Sequence, residues 1–227
     1  MMPVNLPAEP WNFNERVRVP GLHALCILNH HPDDPPPNEH FWKTPHQTPD
    51  GSWRRTLDYW TRARDDLCDS YNKRCVYSCF VIEPIRDPNG QVIGGDHSID
   101  HFVPKSLNPA KEAFEWNNLR WCWSVINNIK GNSRIPIDPT QLTDMVVELD
   151  EDTRGKWMVI PASNLNGSIL ADVQDTIEVL GLNSRPVVNR RTDFADDFIN
   201  NIYGYSDQEM ANRQPFVFSE LRRLGRI

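Results

Sequence analysis

The chain has 227 residues, 39% of them hydrophobic, and 19 prolines, enough to bury one good core and to carry long irregular connections. Its formal charge of -7 argues against a protein that coats nucleic acid, whose domain would be basic. It leaves open an enzyme with a local basic groove, or one that borrows a partner's surface. No run approaches the ~18 apolar residues that a bilayer span needs, and the opening MMPVNLPAEPWNF lacks the basic and apolar regions of a secretory signal. An odd set of five cysteines, Cys26, Cys68, Cys75, Cys79 and Cys122, points to free thiols or a metal site in a reducing compartment. We therefore expect a cytoplasmic protein.

In chain order, residues 1–52 read as irregular, because HHPDDPPPNEH imposes extended backbone and removes donors. From Trp53 to about Asn72, the spacing of Leu57, Trp60, Leu67 and Tyr71 predicts a helix packed on the core. Arg54, Arg55, Arg62 and Arg64 make it locally basic. CVYSCFVI (75–82) is rich in β-formers, and DPNG (87–90) signals a tight turn. QVI and SIDHFVP then read as further short strands. After a loop comes WNNLRWCW, with Ser124 as the cap of a helix closed by Gly131.

Beyond residue 135, MVVELDEDTRGKWMVI reads as a hairpin. ILADVQDTIEVLGLN is an amphipathic helix with Leu170, Val173, Ile177 and Leu180 on one face. VNRRTDFADDFINNIYGY continues helically, and FVFSELRRLGRI ends the chain as a short helix. The expected organisation is α+β: an irregular segment over 1–52, a core with its preceding helix over 53–135, and a hairpin with helices over 136–227.

One short region gathers the groups that phosphodiester hydrolysis needs. Asp100 and His101 close a strand-like run, Asn118 follows 17 residues after His101, and Asn127 follows 9 after that, with Lys130 and Gly131 just beyond. A histidine can deprotonate water near neutral pH. A carboxylate and an amide carbonyl suit a hard divalent cation. Neighbours on a regular strand point to opposite faces, so Asp100 and His101 share a site only if the strand ends or bulges there. Pro104 is consistent with such an end.

The series IDHFVPKS, WNNL and NNIKGN resembles the HNH endonucleases, whose fold is the ββα-metal finger. The resemblance covers Asp96 to Asn132. It implies that His101 is the general base, that Asp100 and Asn127 are ligands of a divalent ion, Mg²⁺ foremost, and that Asn118 orients the loop and the His101 ring. Lys105 and Lys130 become candidate phosphate contacts.

Many members also carry two Cys-x-x-Cys pairs around a structural zinc. Here Cys75 and Cys79 are one residue too far apart, and Trp123 and Ile126 stand where the second pair would be. We therefore expect no structural zinc, with Trp121, Trp123 and Ile126 packed in its place. A second Asp-His pair, Asp96-His97, lacks the FVPK continuation, which leaves His97 as the rival base.

The tail DVQDTIEVLGLNSRPVVNRR is similar to that of the HNH proteins of anti-phage operons, the retron-associated and Septu-type nucleases, which work beside an ATPase. The expectation is thus a metal-dependent endonuclease on nucleic acid, DNA ahead of RNA, in a defence system. The alternative is a catalytically silent HNH module that binds nucleic acid or a partner.

Overall fold

Proline and glycine break the N-terminal segment less than their number suggests. In the computed structural model, which describes residues 1–227, a wide helical turn over Asn14–Arg18 runs directly into α1 (Val19–Ile27). Pro20, with no N–H to donate, sits at that junction. Gly21 is needed for contact, because a Cβ there would lie 2.5 Å from the Phe114 ring. The expectation of an irregular 1–52 is corrected to this extent.

The helix expected from Trp53 also starts later. Trp53–Arg54 forms β2, paired antiparallel with β1 (His46–Gln47), a 3₁₀ turn covers Tyr59–Ala63, and α2 is Arg64–Ser70. Local side-chain bonds win over helix here: Asp58 accepts from Thr56 Oγ1 at 2.6 Å, and its carbonyl accepts from Thr61 Oγ1 at 2.7 Å. Leu57, Trp60 and Leu67 are nevertheless buried, as their spacing predicts. CVYSCFVI is not a strand. It folds back on itself through Cys79 at φ 60°, closed by an isolated bridge from Arg74 to Val81, and reaches β6 through the Val76 N–H on the Trp121 carbonyl. The DPNG turn joins β3 (Ile85–Arg86) to β4 (Val92–Gly94), with Gly90 at φ 83°.

β5 (His97–His101) pairs antiparallel with β6 (Leu119–Trp123), His97 opposite Trp123 and His101 opposite Leu119. α3 (Ser124–Lys130) follows β6 without a linker and packs on both strands. Ser124 is its first helical residue rather than its cap, and Gly131 at φ 53° ends it. The C-terminal half holds the hairpin β7 (Val147–Glu151) and β8 (Trp157–Pro161), then α4 (Gly167–Val179), α5 (Arg185–Ile199), α6 (Asp207–Arg213) and α7 (Pro215–Arg223).

The class is α+β, with seven α-helices and four two-stranded antiparallel sheets. A single core of 48 buried residues runs from Met1 to Leu221, so no expected segment has a core of its own. No helix is long and apolar enough to cross a membrane.

Candidate active site

β5 carries two different surfaces into the middle of the molecule. Because side chains alternate along a strand, Ser98 and Asp100 face one way and His97, Ile99 and His101 the other. β5 pairs regularly through His101, so the strand does not bulge to bring Asp100 and His101 together.

His101 is 5% exposed. Its Nε2 lies 3.1 Å from the Ala113 carbonyl. A carbonyl oxygen only accepts, so the ring proton sits on Nε2, and Nδ1 keeps its lone pair. The Trp60 ring stands edge-on to the imidazole, 4.8 Å between centroids at 88°. Burial holds the His101 pKa well below the usual histidine value, and the nearby Lys105 ammonium adds to this. The ring is therefore neutral at neutral pH.

Asn118 ties down the loop that supplies the carbonyl. Its Oδ1 accepts from the Val103 N–H at 2.8 Å, and its Nδ2 donates to the Val103 and Glu112 carbonyls at 3.2 and 3.1 Å. Glu112 precedes Ala113, so the residue holding the loop is one peptide away from the group holding His101. Lys105, in the same loop, places Nζ 4.3 Å from the Trp60 ring and 5.9 Å from Trp42, and it forms no ion pair. Burial lowers its pKa to about 8.

The other face of β5 is closed. Asp100 is 3% exposed, accepts from Lys130 Nζ at 2.9 Å on Oδ1 and from the Tyr77 hydroxyl at 2.5 Å on Oδ2. Lys130 is 1% exposed and also donates to the His101 carbonyl at 2.8 Å. Burial raises the Asp100 pKa, against the opposing pull of Lys130. Asn127 does not meet Asp100. Its Nδ2 donates to Ser98 Oγ at 3.0 Å, so strand and helix meet in two rungs, Ser98 with Asn127 and Asp100 with Lys130.

These contacts test the expected metal ligands. Asp100 and Asn127 offer hard oxygens, the right chemistry for Mg²⁺, but they stand on different rungs, and the carboxylate is engaged on both oxygens. No group of three His, Cys, Asp or Glu side chains converges anywhere in the chain. As arranged, the residues do not fit a divalent ion; the cation Asp100 faces is Lys130. For the same reason Lys130 is enclosed and not placed to reach a phosphate, whereas Lys105 has a free ammonium.

His97 stacks on Trp121 at 4.4 Å and 13°, its Nδ1 buried without a partner. Two side chains here were missed in the sequence. Tyr77 lay in a run read as strand, and the only signal was that a buried tyrosine hydroxyl needs a partner. Ser98 gave no signal. Cys75 and Cys122 place their sulfurs 4.0 Å apart, and Trp121, Trp123 and Ile126 are buried. No known protein family, curated protein or solved structure matches the chain.

Proposed function

We propose that the protein is an HNH-type endonuclease hydrolysing phosphodiester bonds in nucleic acid, DNA ahead of RNA, with β5, β6 and α3 as its ββα unit. The observation that carries this reading is the contact of His101 Nε2 with the Ala113 carbonyl at 3.1 Å. The Ala113 carbonyl fixes the proton on Nε2, so Nδ1 is a neutral base held in one orientation. In the reaction, Nδ1 takes a proton from water as the water oxygen bonds to phosphorus, and the bond to the leaving oxygen breaks with its electron pair on that oxygen. The leaving oxygen takes a proton from solvent, and the imidazolium returns its proton to solvent. The Lys105 ammonium is the unpaired cation beside the ring and meets the phosphate charge. Asn118 positions the loop between them. A divalent ion would supply further charge neutralisation, but it reaches Asp100 only where Lys130 leaves it, and no step is assigned to it.

The similarity of the tail extends the proposal to a role in anti-phage defence beside an ATPase partner. The closed Asp100–Lys130 pair favours one other reading, a silent module that binds without cutting. Nicking of supercoiled plasmid and cleavage of pooled RNA separate the two, with Mg²⁺ and with chelator, for wild type and His101→Ala. Loss of the base lowers cutting about 10²–10⁴-fold. Cutting that survives His101→Ala undiminished overturns the assignment and turns attention to His97. A wild type that never cuts supports the silent module.

A further inference from the structure

We propose that the stretch from Trp53 to Arg64, continued by Lys105, is the track along which the phosphodiester backbone of a nucleic-acid strand reaches His101. The inference rests on the nuclease reading for its class of substrate and adds where that substrate lies. In this stretch Arg54, Arg55, Arg62 and Arg64 stand against Asp58, four positive charges less one negative, or +3 in a chain whose formal charge is -7.

The neighbouring carboxylates are already engaged. Asp58 accepts from Arg54 at 2.9 Å, and Asp66 pairs with Arg16 at 3.0 Å. Arg55 and Arg62 are exposed and form no ion pair. Arg18, Lys73, Arg86 and Lys111, by contrast, each face a carboxylate.

The charges are also held in place. The guanidinium groups of Arg54 and Arg62 lie 4.5 and 4.8 Å from the Tyr59 ring centre. The next residue, Trp60, touches both the His101 ring and Lys105, so the arginines connect to the base through two adjacent aromatic residues. Trp53, 71% exposed, begins the stretch with a free π-face of the kind on which unpaired bases stack. Backbone neutralised by arginine and lysine, with an aromatic face beside it, is the chemistry of strand binding.

A second basic hollow, lined by Arg154, Lys156 and Arg185, makes no contact with His101 and serves as the control surface. The test is fluorescence anisotropy of a labelled single-stranded oligonucleotide and its duplex in chelator, across a salt series. Arg55→Gln/Arg62→Gln is expected to weaken single-strand binding about tenfold and to flatten the log–log salt dependence by about 1.4, two phosphate contacts at ~0.7 each. Lys156→Gln/Arg185→Gln is expected to change neither. Equal losses from the two pairs, or a loss confined to the control pair, overturn the track. Plasmid nicking by the same proteins separates this from the nuclease reading. Binding that depends on Arg55 and Arg62 in a chain that never cuts keeps the track and removes the nuclease. Cutting by Arg55→Gln/Arg62→Gln with unchanged KM and unchanged salt slope does the reverse.

Discussion

The two faces of β5 are built on opposite terms. On one, His101 is held by a backbone carbonyl and one aromatic neighbour, Trp60, and Lys105, over the same Trp60 ring, forms no ion pair. On the other, Asp100 and Lys130 have each other, and Tyr77 and the His101 carbonyl complete the set. The first face leaves the His101 Nδ1 and the Lys105 ammonium without a hydrogen-bond or ion-pair partner. The second is finished. Five residues of strand thus separate a partly unpartnered face from a fully paired one without any intervening element, simply by the alternation of side chains.

The strongest way to break this contrast is Asp100→Ala, which leaves the Lys130 ammonium buried and unpaired. It is expected to cost about 3–5 kcal/mol, read by urea unfolding, and Asp100→Ala/Lys130→Met should recover most of that, since both charges then leave together. A cost within about 1 kcal/mol would mean that the pair is hydrated and that its face is open after all.

The pH dependence of cutting sharpens the other face. His101 is held below the usual value near 6.5, so its base form is complete at neutral pH and is lost only as pH falls further. Lys105 sits at about 8 and sheds its charge as pH rises through that point. The expected kcat/KM profile is flat around neutrality, with an acid limb below 6.5 and an alkaline limb near 8, each falling roughly tenfold per pH unit. Lys105→Arg should remove the alkaline limb alone. The smallest effect belongs to Ser98→Ala, which gives up one bond to Asn127 and should cost about 0.5–1.5 kcal/mol with cutting unchanged; a loss of cutting would assign that rung to the chemistry.

What the sequence made legible was set by local chemistry. The hairpin around DEDTRG and the turn at DPNG stand where they were expected, since turn residues act within a few positions of themselves. Helix α4 follows its periodicity, with Val173 and Ile177 buried. Long-range contacts decided the rest. CVYSCFVI has strand composition, but Val76 donates to the Trp121 carbonyl and Tyr77 turns in to Asp100, partners that lie far along the chain. α1 was hidden because its apolar residues surround the helix instead of lining a stripe, and because Gly21 looks like a breaker until Phe114 is seen against it. The spacing of Asp100, His101, Asn118 and Asn127 located the region. It did not reveal which residues touch, since alternation along β5 and the reach of Lys130 are three-dimensional facts.

The pairing of β5 with β6 also carries information of a different kind. A slip of one position between these strands would exchange odd for even. The imidazole would enter the seam that Lys130 fills, and the carboxylate would emerge beside Trp60 and Lys105. Every residue would still be present, and the hairpin would still have its hydrogen bonds. What would be lost is a parity, a single bit that no composition or spacing records. It is guarded at the far end of the pair, where Phe102 donates to the Asn118 carbonyl and Asn118 clasps Val103. An insertion of one residue anywhere from Asp100 to Asn118 tests that guard more severely than most substitutions within it.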